Sequence, residues 1–176
     1  CEQGLGDTIQ FSRYAKLIVK LKANVIMEVQ KPLVNFLGQL EPDIRIITKD
    51  DNVNFDFYCP LMSLPYIFQT NDKNMPYPNG YLKVSEHKKQ LFEKQISSKK
   101  RRIGFAFSGN NNHHNTMNRD IKFKEISEIF STDYDFYCIQ KDINDQDLIE
   151  LNRHKQINWP SDFISEDFSN TAVIVS

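Results

Sequence analysis

The amino-acid sequence predicts an α/β protein built on parallel sheets, because short β-rich runs alternate with segments of helical periodicity. One pattern also occurs twice. A loop of small residues leads into a helix near residue 4, and again after the strand-like run 102–108. We therefore expect two similar domains that meet near residues 97–102, one over residues 1–100 and one over residues 101–176.

The first half of the chain predicts three strands, two helices and a third segment that is either a short helix or a turn. Apolar residues recur at helical spacing after the first loop, and Pro32 is typical of a helix start. The strands are predicted at 24–29, 44–48 and 56–59. The helices are predicted at 7–22 and 32–40, and a short helix or turn segment is predicted at 61–68.

The second half repeats this alternation after a connecting loop. Residues 70–80 carry two prolines, a glycine and several polar turn formers, which predicts a loop. The lysines and arginines of 97–102 are expected to form a solvated linker rather than a patch that binds nucleic acid. Strands are predicted at 102–108 and 134–140, and helices at 85–96, 123–130, 145–151 and from about 167 onward.

Composition narrows the class of protein. The chain has 22 basic and 23 acidic residues, which gives no general reason to expect nucleic acid or an anionic membrane as a partner. No run approaches the roughly 18 apolar residues of a membrane span, and no basic-then-apolar leader is present, so we expect a cytoplasmic protein without a membrane span.

The first residue directly precedes a loop that normally follows a strand, and the last residues look like a helix just beginning, so both ends are expected to be cut.

The cysteines and histidines do not indicate a metal site. Cys1, Cys59 and Cys138 lie far apart and match no metal-ligand spacing. The last two stand in apolar strand-like runs, so we interpret these cysteines as reduced, buried thiols rather than catalytic ones. His113 and His114 are adjacent and are expected to point apart, so no metal is predicted there.

The loop Gly4-Leu5-Gly6-Asp7 is the sharpest local feature. Its glycines allow a tight turn and a close approach to a ligand at a helix N-terminus. It is not the dinucleotide fingerprint, because Ile9 stands where the third glycine is required. Asp7 is either a helix cap or a catalytic carboxylate, and the motif alone leaves both interpretations open.

A second candidate site follows the strand predicted at 102–108. Ser108, Gly109 and Asn110, with Arg119 before the next helix, could hold an anion through backbone amides, a hydroxyl and a guanidinium. The alternative is a solvated loop.

Gln140 and Lys141 close the following strand, at the position where α/β folds place ligand groups. The same two residues could instead simply begin a turn, and the sequence slightly favours that simpler role.

These motifs occur in the same order as in a known family. The matching segments are 2–11, 13–14, 28–33, 55–61, 63–65, 108–110, 118–119 with 121, 140–142, and 167–168 with 171–172. Together they resemble the glycosyltransferase region of bacterial tetratricopeptide-repeat proteins, which is related to the heptosyltransferases. The resemblance extends over nearly the whole chain.

The resemblance implies a GT-B fold of two Rossmann-like domains with parallel sheets, truncated here at both ends. Residues 1–100 would be the acceptor-side domain, and residues 101–176 the first part of the nucleotide-sugar-side domain, facing it across a cleft. It also implies metal-independent, inverting transfer of a sugar from a nucleotide-sugar donor to a hydroxyl of a glycan or protein, without a cofactor. Tetratricopeptide repeats would belong to the same parent chain.

The resemblance also implies roles for individual residues. Asp7 would be the general base that takes the proton of the acceptor hydroxyl. Ser108, Gly109 and Arg119 would stabilise the leaving diphosphate. The further substrate or phosphate contacts would be Gly4, Gly6, Asn110, Gln140 and Lys141.

The sequence departs from the family pattern in three places. Phe107 stands where a tryptophan is usual, and Asn111 where a proline is usual. The family's later motif for the nucleotide diphosphate would lie beyond Ser176, so the fragment alone is expected to be inactive. The alternatives are a non-catalytic transferase-like scaffold domain attached to repeats and, less favoured, another nucleotide-binding α/β enzyme.

Overall fold

A computed structural model describes residues 4–94, 100–109, 118, 120–161, 164 and 167–176. The chain divides into two compact units. The first comprises Cys1–Ser85 with Glu166–Ser169, and the second comprises Glu86–Ser165 with Asn170–Ser176. Each unit has its own parallel sheet.

The first unit begins with a helical segment that changes geometry in its middle. Helix α1 (Leu5–Phe11) leads through a 3₁₀ turn (Ser12–Tyr14) into α2 (Ala15–Lys20). The buried Ser12 donates a hydrogen bond from Oγ to the carbonyl of Ile9 at 2.8 Å, and such back-bonding by serine often distorts a helix. The predicted helix is therefore present, but it starts two residues earlier and is not α-helical throughout.

Over the described residues, the sheet of the first unit has two strands. β1 (Val25–Glu28) and β2 (Ile44–Ile47) pair in parallel, as the β-rich runs predict. The segment between them contains a 3₁₀ turn (Lys31–Leu33) and the short helix α3 (Val34–Leu37). A second pair of the same kind follows β2, as a 3₁₀ turn (Leu61–Ser63) and α4 (Leu64–Ile67). The apolar faces of these elements form the core, because Leu33, Leu37 and Val29 are almost fully buried.

The strand predicted at 56–59 is wrong. Residues 51–60 form no regular element, and the Phe57 side chain is 93% exposed. A β-rich run becomes a strand only when another strand pairs with it, and propensity alone does not provide that partner. Among the described residues, β1 and β2 pair with each other and leave this run unpaired.

In the second unit, the described residues form a sheet of three parallel strands in the order β3-β4-β5. They are β3 (Arg101–Phe105), β4 (Tyr134–Cys138) and β5 (Ile157–Asn158). The helices are α5 (Glu86–Glu93), α6 (Phe123–Ile126) with a following 3₁₀ turn (Ser127–Ile129), α7 (Asp145–Arg153) and α8 (Phe168–Ile174). Two differences from the sequence prediction are that β3 begins at Arg101, one residue earlier than predicted and within the predicted linker, and that β5 was missed.

Neighbouring residues of β4 place side chains on opposite faces of this sheet. Cys138 packs in a core cluster with Phe107, Phe123 and Leu151. Tyr137 faces the other way, and its ring lies 6.3 Å from that of Phe92 on α5. The last three residues of β4 are therefore buried, whereas β3 is exposed over its first four residues. The predicted α/β class with parallel sheets is confirmed, and the pattern is compatible with a Rossmann-like fold.

The structure separates two of the cysteines that the sequence grouped together. Cys138 is buried as predicted, whereas the prediction for Cys59 is wrong because its unpaired segment leaves it exposed. Cys1 lies outside the described residues. Burial raises the pKa of Cys138 to about 11, against a smaller opposing effect of a backbone hydrogen bond involving Gln140.

We expect iodoacetamide at pH 7.5 to label Cys59 in the folded chain and to leave Cys138 unmodified. The thiolate is the reactive form, and a raised pKa keeps Cys138 protonated until the pH approaches about 11. Peptide mass spectrometry measures both sites in one sample, and labelling in urea provides the control for intrinsic reactivity. Equal labelling of both cysteines under native conditions would contradict the burial of Cys138.

None of the helices in the described ranges is long and apolar enough to cross a membrane.

Candidate functional site

Asp7 lies in the first turn of α1, where its carboxylate caps the helix. Its Oδ2 accepts a hydrogen bond from the backbone N–H of Gly4 at 3.0 Å. A carboxylate at this position satisfies a free amide and interacts favourably with the helix dipole. The second oxygen, Oδ1, makes no hydrogen bond to any described residue. The cap therefore leaves one carboxylate oxygen for another partner.

The two glycines of this loop are not required by its backbone conformation. Gly4 has φ −64°, and Gly6 lies within the regular helix. A Cβ atom at Gly4 would come to 3.3 Å from Oδ2 of Asp7, whereas a Cβ at Gly6 would meet nothing within 4 Å. Gly4 thus leaves room for the cap, and Gly6 leaves an open surface on the first turn.

A tyrosine from the loop 70–81 anchors that loop to the first helical segment. The Tyr81 hydroxyl donates to the carbonyl of Ile9, and the Arg13 guanidinium lies 4.6 Å from the centre of the Tyr81 ring. Arg13 also donates to the carbonyl of Pro76 at 3.3 Å. The sequence identified the loop but not this contact, because nothing in the spacing of residues 13 and 81 indicates it.

In the second unit, the turn after β3 is held by side chains from elsewhere. The backbone N–H groups of Phe107 and Ser108 both donate to Oε1 of Gln140, each at 3.2 Å. The N–H of Gly109 donates to Oδ1 of Asp120 at 2.8 Å. Three consecutive amides therefore converge on side-chain oxygens.

Gln140 is the centre of this arrangement. It is 7% exposed, and its Nε2 donates to the carbonyl of Asp142 at 3.3 Å. Its own carbonyl accepts from Nε1 of Trp159 at 3.2 Å. Gln140 thus joins the carboxyl ends of β3 and β4 to the segment after β5. Through these contacts it positions the backbone of the turn after β3.

The structure brings together three of the predicted site residues in the second unit, namely Ser108, Gly109 and Gln140. Lys141 is exposed at the same end of the sheet. Asn110 and Arg119 lie outside the described residues. The predicted residues of the first unit, Gly4, Gly6 and Asp7, form a separate group at the start of α1.

Asp120 is the member of this arrangement that the sequence prediction missed. An aspartate shortly before a predicted helix is ordinarily interpreted as a helix cap, and that position was the available signal. Its carboxylate instead binds the amide of Gly109, eleven residues earlier in the chain. No cluster of three or more His, Cys, Asp or Glu side chains in the described ranges is arranged to hold a metal ion.

We expect Gln140→Ala to lower the free energy of unfolding by about 2 kcal/mol, because it leaves two amides without their acceptor. Lys141→Ala, at the exposed neighbouring position, is the matched control and should change stability by less than about 0.5 kcal/mol. Urea unfolding followed by Trp159 fluorescence measures both. Equal stability of the two variants would show that the Gln140 contacts do not hold the turn.

The fold and this site together define an α/β protein with parallel sheets. Its candidate ligand-binding groups lie at the carboxyl ends of the strands. Comparisons of the chain with protein-family models, with curated proteins and with solved structures find no significant match.

Proposed function

We propose that the chain is part of a metal-independent, inverting glycosyltransferase of GT-B architecture. It would transfer a sugar from a nucleotide-sugar donor to a hydroxyl of a glycan or protein. The observation that supports this best is the convergence of Ser108, Gly109 and Gln140 at the carboxyl edge of a parallel sheet. That edge is where open α/β sheets bind their ligands.

Asp7 is proposed as the general base. As the acceptor oxygen bonds to the anomeric carbon, its proton passes to the Asp7 carboxylate, and the bond from that carbon to the donor phosphate breaks. The departing nucleoside diphosphate keeps the bonding electron pair. This role is supported by Oδ1, which is not used by the helix cap, and by the open surface over Gly6.

Stabilisation of the diphosphate is assigned to the turn after β3, with the Arg119 guanidinium as the proposed cationic contact and Lys141 nearby. The Gly109 amide already binds a carboxylate oxygen, so an anionic acceptor suits its position. A diphosphate would compete with Asp120 for that amide. Donor binding therefore requires the Asp120 side chain to turn away.

The same hydrogen bonds favour the second candidate, a non-catalytic transferase-like binding or scaffold domain. The amides of residues 107–109 are all satisfied within the protein. If Asp120 and Gln140 keep these partners permanently, the turn has no amide left for a phosphate.

A nucleotide-binding experiment separates the two candidates. We expect one of UDP, GDP or ADP to raise the melting temperature of the full-length parent protein, with about 2.7 kcal/mol of stabilisation at a hundredfold excess over Kd. Arg119→Ala should weaken this effect, whereas Arg153→Ala, on α7, should not. A folded parent protein that no nucleoside diphosphate or nucleotide sugar stabilises would favour the scaffold and count against transfer.

A further inference from the structure

The turn after β3 binds its three backbone amides in two different ways. The N–H groups of Phe107 and Ser108 share one neutral oxygen, Oε1 of Gln140, at 3.2 Å each. Gln140 is almost fully buried, its Nε2 donates to the carbonyl of Asp142, and its own carbonyl accepts from Trp159. Because its side chain cannot leave without breaking these buried contacts, the first two amides are not available to a ligand.

The third amide has an acceptor that can move. The N–H of Gly109 donates to Oδ1 of Asp120 at 2.8 Å, the usual length of a hydrogen bond to a charged acceptor. Asp120 is partly exposed. A side chain of this kind changes rotamer within about nanoseconds, so its carboxylate can leave the amide without a change in the fold. Among residues 107–109, Gly109 therefore carries the exchangeable amide.

The backbone beside Asp120 holds the carboxylate close to this amide. The N–H of Ile121 donates to the carbonyl of Phe107 at 2.9 Å, which ties the segment before α6 to the end of the strand region of β3. Because the backbone is already in place, little conformational entropy opposes the bond between Asp120 and Gly109. The carboxylate therefore returns to the amide whenever no other acceptor is present.

A diphosphate has the chemistry to replace this carboxylate. The Gly109 amide already accepts an anionic oxygen as its partner, and a phosphate oxygen can form the same bond. A diphosphate also carries more charge and more acceptor oxygens than one carboxylate. Lys141 is exposed at the same end of the sheet and forms no ion pair with any described carboxylate, so its charge favours the more highly charged anion.

We propose that Asp120 is an internal inhibitor of this site, which occupies the Gly109 amide until a diphosphate displaces it. The inference rests on the proposed function, since the diphosphate is that of the nucleotide-sugar donor. Gln140 maintains the shape of the turn in both states, and Gly109 exchanges one anionic partner for another. The apparent affinity for the donor is reduced by the fraction of time that Asp120 occupies the amide, so removal of the carboxylate strengthens binding.

The first test follows hydrogen exchange of the Gly109 amide by NMR in the 176-residue chain. Asp120→Ala should speed this exchange about tenfold or more, because the amide loses its acceptor. The amides of Phe107 and Ser108 should remain slow. Asp142→Asn removes an exposed negative charge at the same end of the sheet and is the matched control, with no change expected at Gly109. Unchanged exchange in Asp120→Ala would overturn the proposal without reference to any ligand.

The second test measures the Kd of inorganic pyrophosphate by titration calorimetry on the same proteins. We expect Asp120→Ala to bind it about tenfold more tightly than the unmodified chain. Asp120→Asn, which keeps the side-chain size and a neutral acceptor, should lie between the two, and Asp142→Asn should change Kd much less. Bound pyrophosphate should slow exchange at Gly109 in Asp120→Ala. Equal Kd values for the unmodified chain and both Asp120 variants, or no binding to any of them, would overturn the internal inhibitor.

A comparison with the full-length parent protein distinguishes this inference from the proposed function. Tighter pyrophosphate binding to Asp120→Ala, without stabilisation of the parent protein by any nucleoside diphosphate or nucleotide sugar, would support the inhibitor and count against sugar transfer. Equal stabilisation of the parent protein and of its Asp120→Ala variant by a nucleoside diphosphate would have the opposite meaning. It would support donor binding and overturn the inhibitory role of Asp120.

Discussion

Replacing Asp7 by asparagine in the full-length parent protein is expected to lower the rate of sugar transfer by about 10²–10⁴-fold, the usual contribution of a general base. Asparagine retains a side-chain oxygen that can accept from the Gly4 amide, so the helix cap persists. It cannot take a proton from the acceptor hydroxyl. The free energy of unfolding should therefore fall by less than about 1 kcal/mol, mainly through the lost charge at the helix N-terminus.

Asp7→Ala is the matched comparison, because alanine removes the cap as well as the carboxylate. We expect it to be as inactive as Asp7→Asn and to lose about 1 kcal/mol of stability. Steady-state transfer rates and urea unfolding of the two variants separate the two roles of Asp7. If Asp7→Asn keeps the wild-type turnover, Asp7 is a cap only, and the proposed mechanism loses its base.

Much of the fold could be predicted because its signals are local. The runs that became β1, β2, β3 and β4 are β-rich and bounded by turn residues, and α7 and α8 have clear helical starts. The run at 56–59 has the same local signal, but its state depends on a strand elsewhere in the chain. β5 has two residues, too few to show any periodicity.

The sequence could predict where the candidate residues lie relative to the strands and helices, but not which hydrogen bonds they form. Glycine, serine and aspartate next to predicted strand and helix ends indicated where Asp7 and Ser108 would lie. The sequence could not show that Gln140 would turn its side chain toward amides 32 and 33 residues earlier. That orientation depends on the packing of β3 beside β4 and on Trp159, which are properties of the folded unit.

Phe123→Ala is expected to lower the free energy of unfolding of the second unit by about 3–5 kcal/mol, the usual cost of removing a buried phenylalanine. Phe123 is 0% exposed, and its ring lies 5.5 Å from that of Phe107 and 5.9 Å from that of Phe130. The ring of His154 lies 5.6 Å from that of Phe123. An alanine would leave a cavity among these rings, because close-packed neighbours relax only partly into such a space.

The only tryptophan, Trp159, packs against this core, so its fluorescence during urea unfolding reports on the second unit. Ile129→Ala, in the same unit but 63% exposed, is the control and should lower the free energy of unfolding much less than the core substitution.

Because Phe107 directly precedes Ser108, a loosened core should also weaken the Gln140 bonds to the turn. Phe123→Ala should therefore add less destabilisation in a Gln140→Ala background than alone. Strict additivity of the two substitutions would contradict a coupling between the aromatic core and the candidate site.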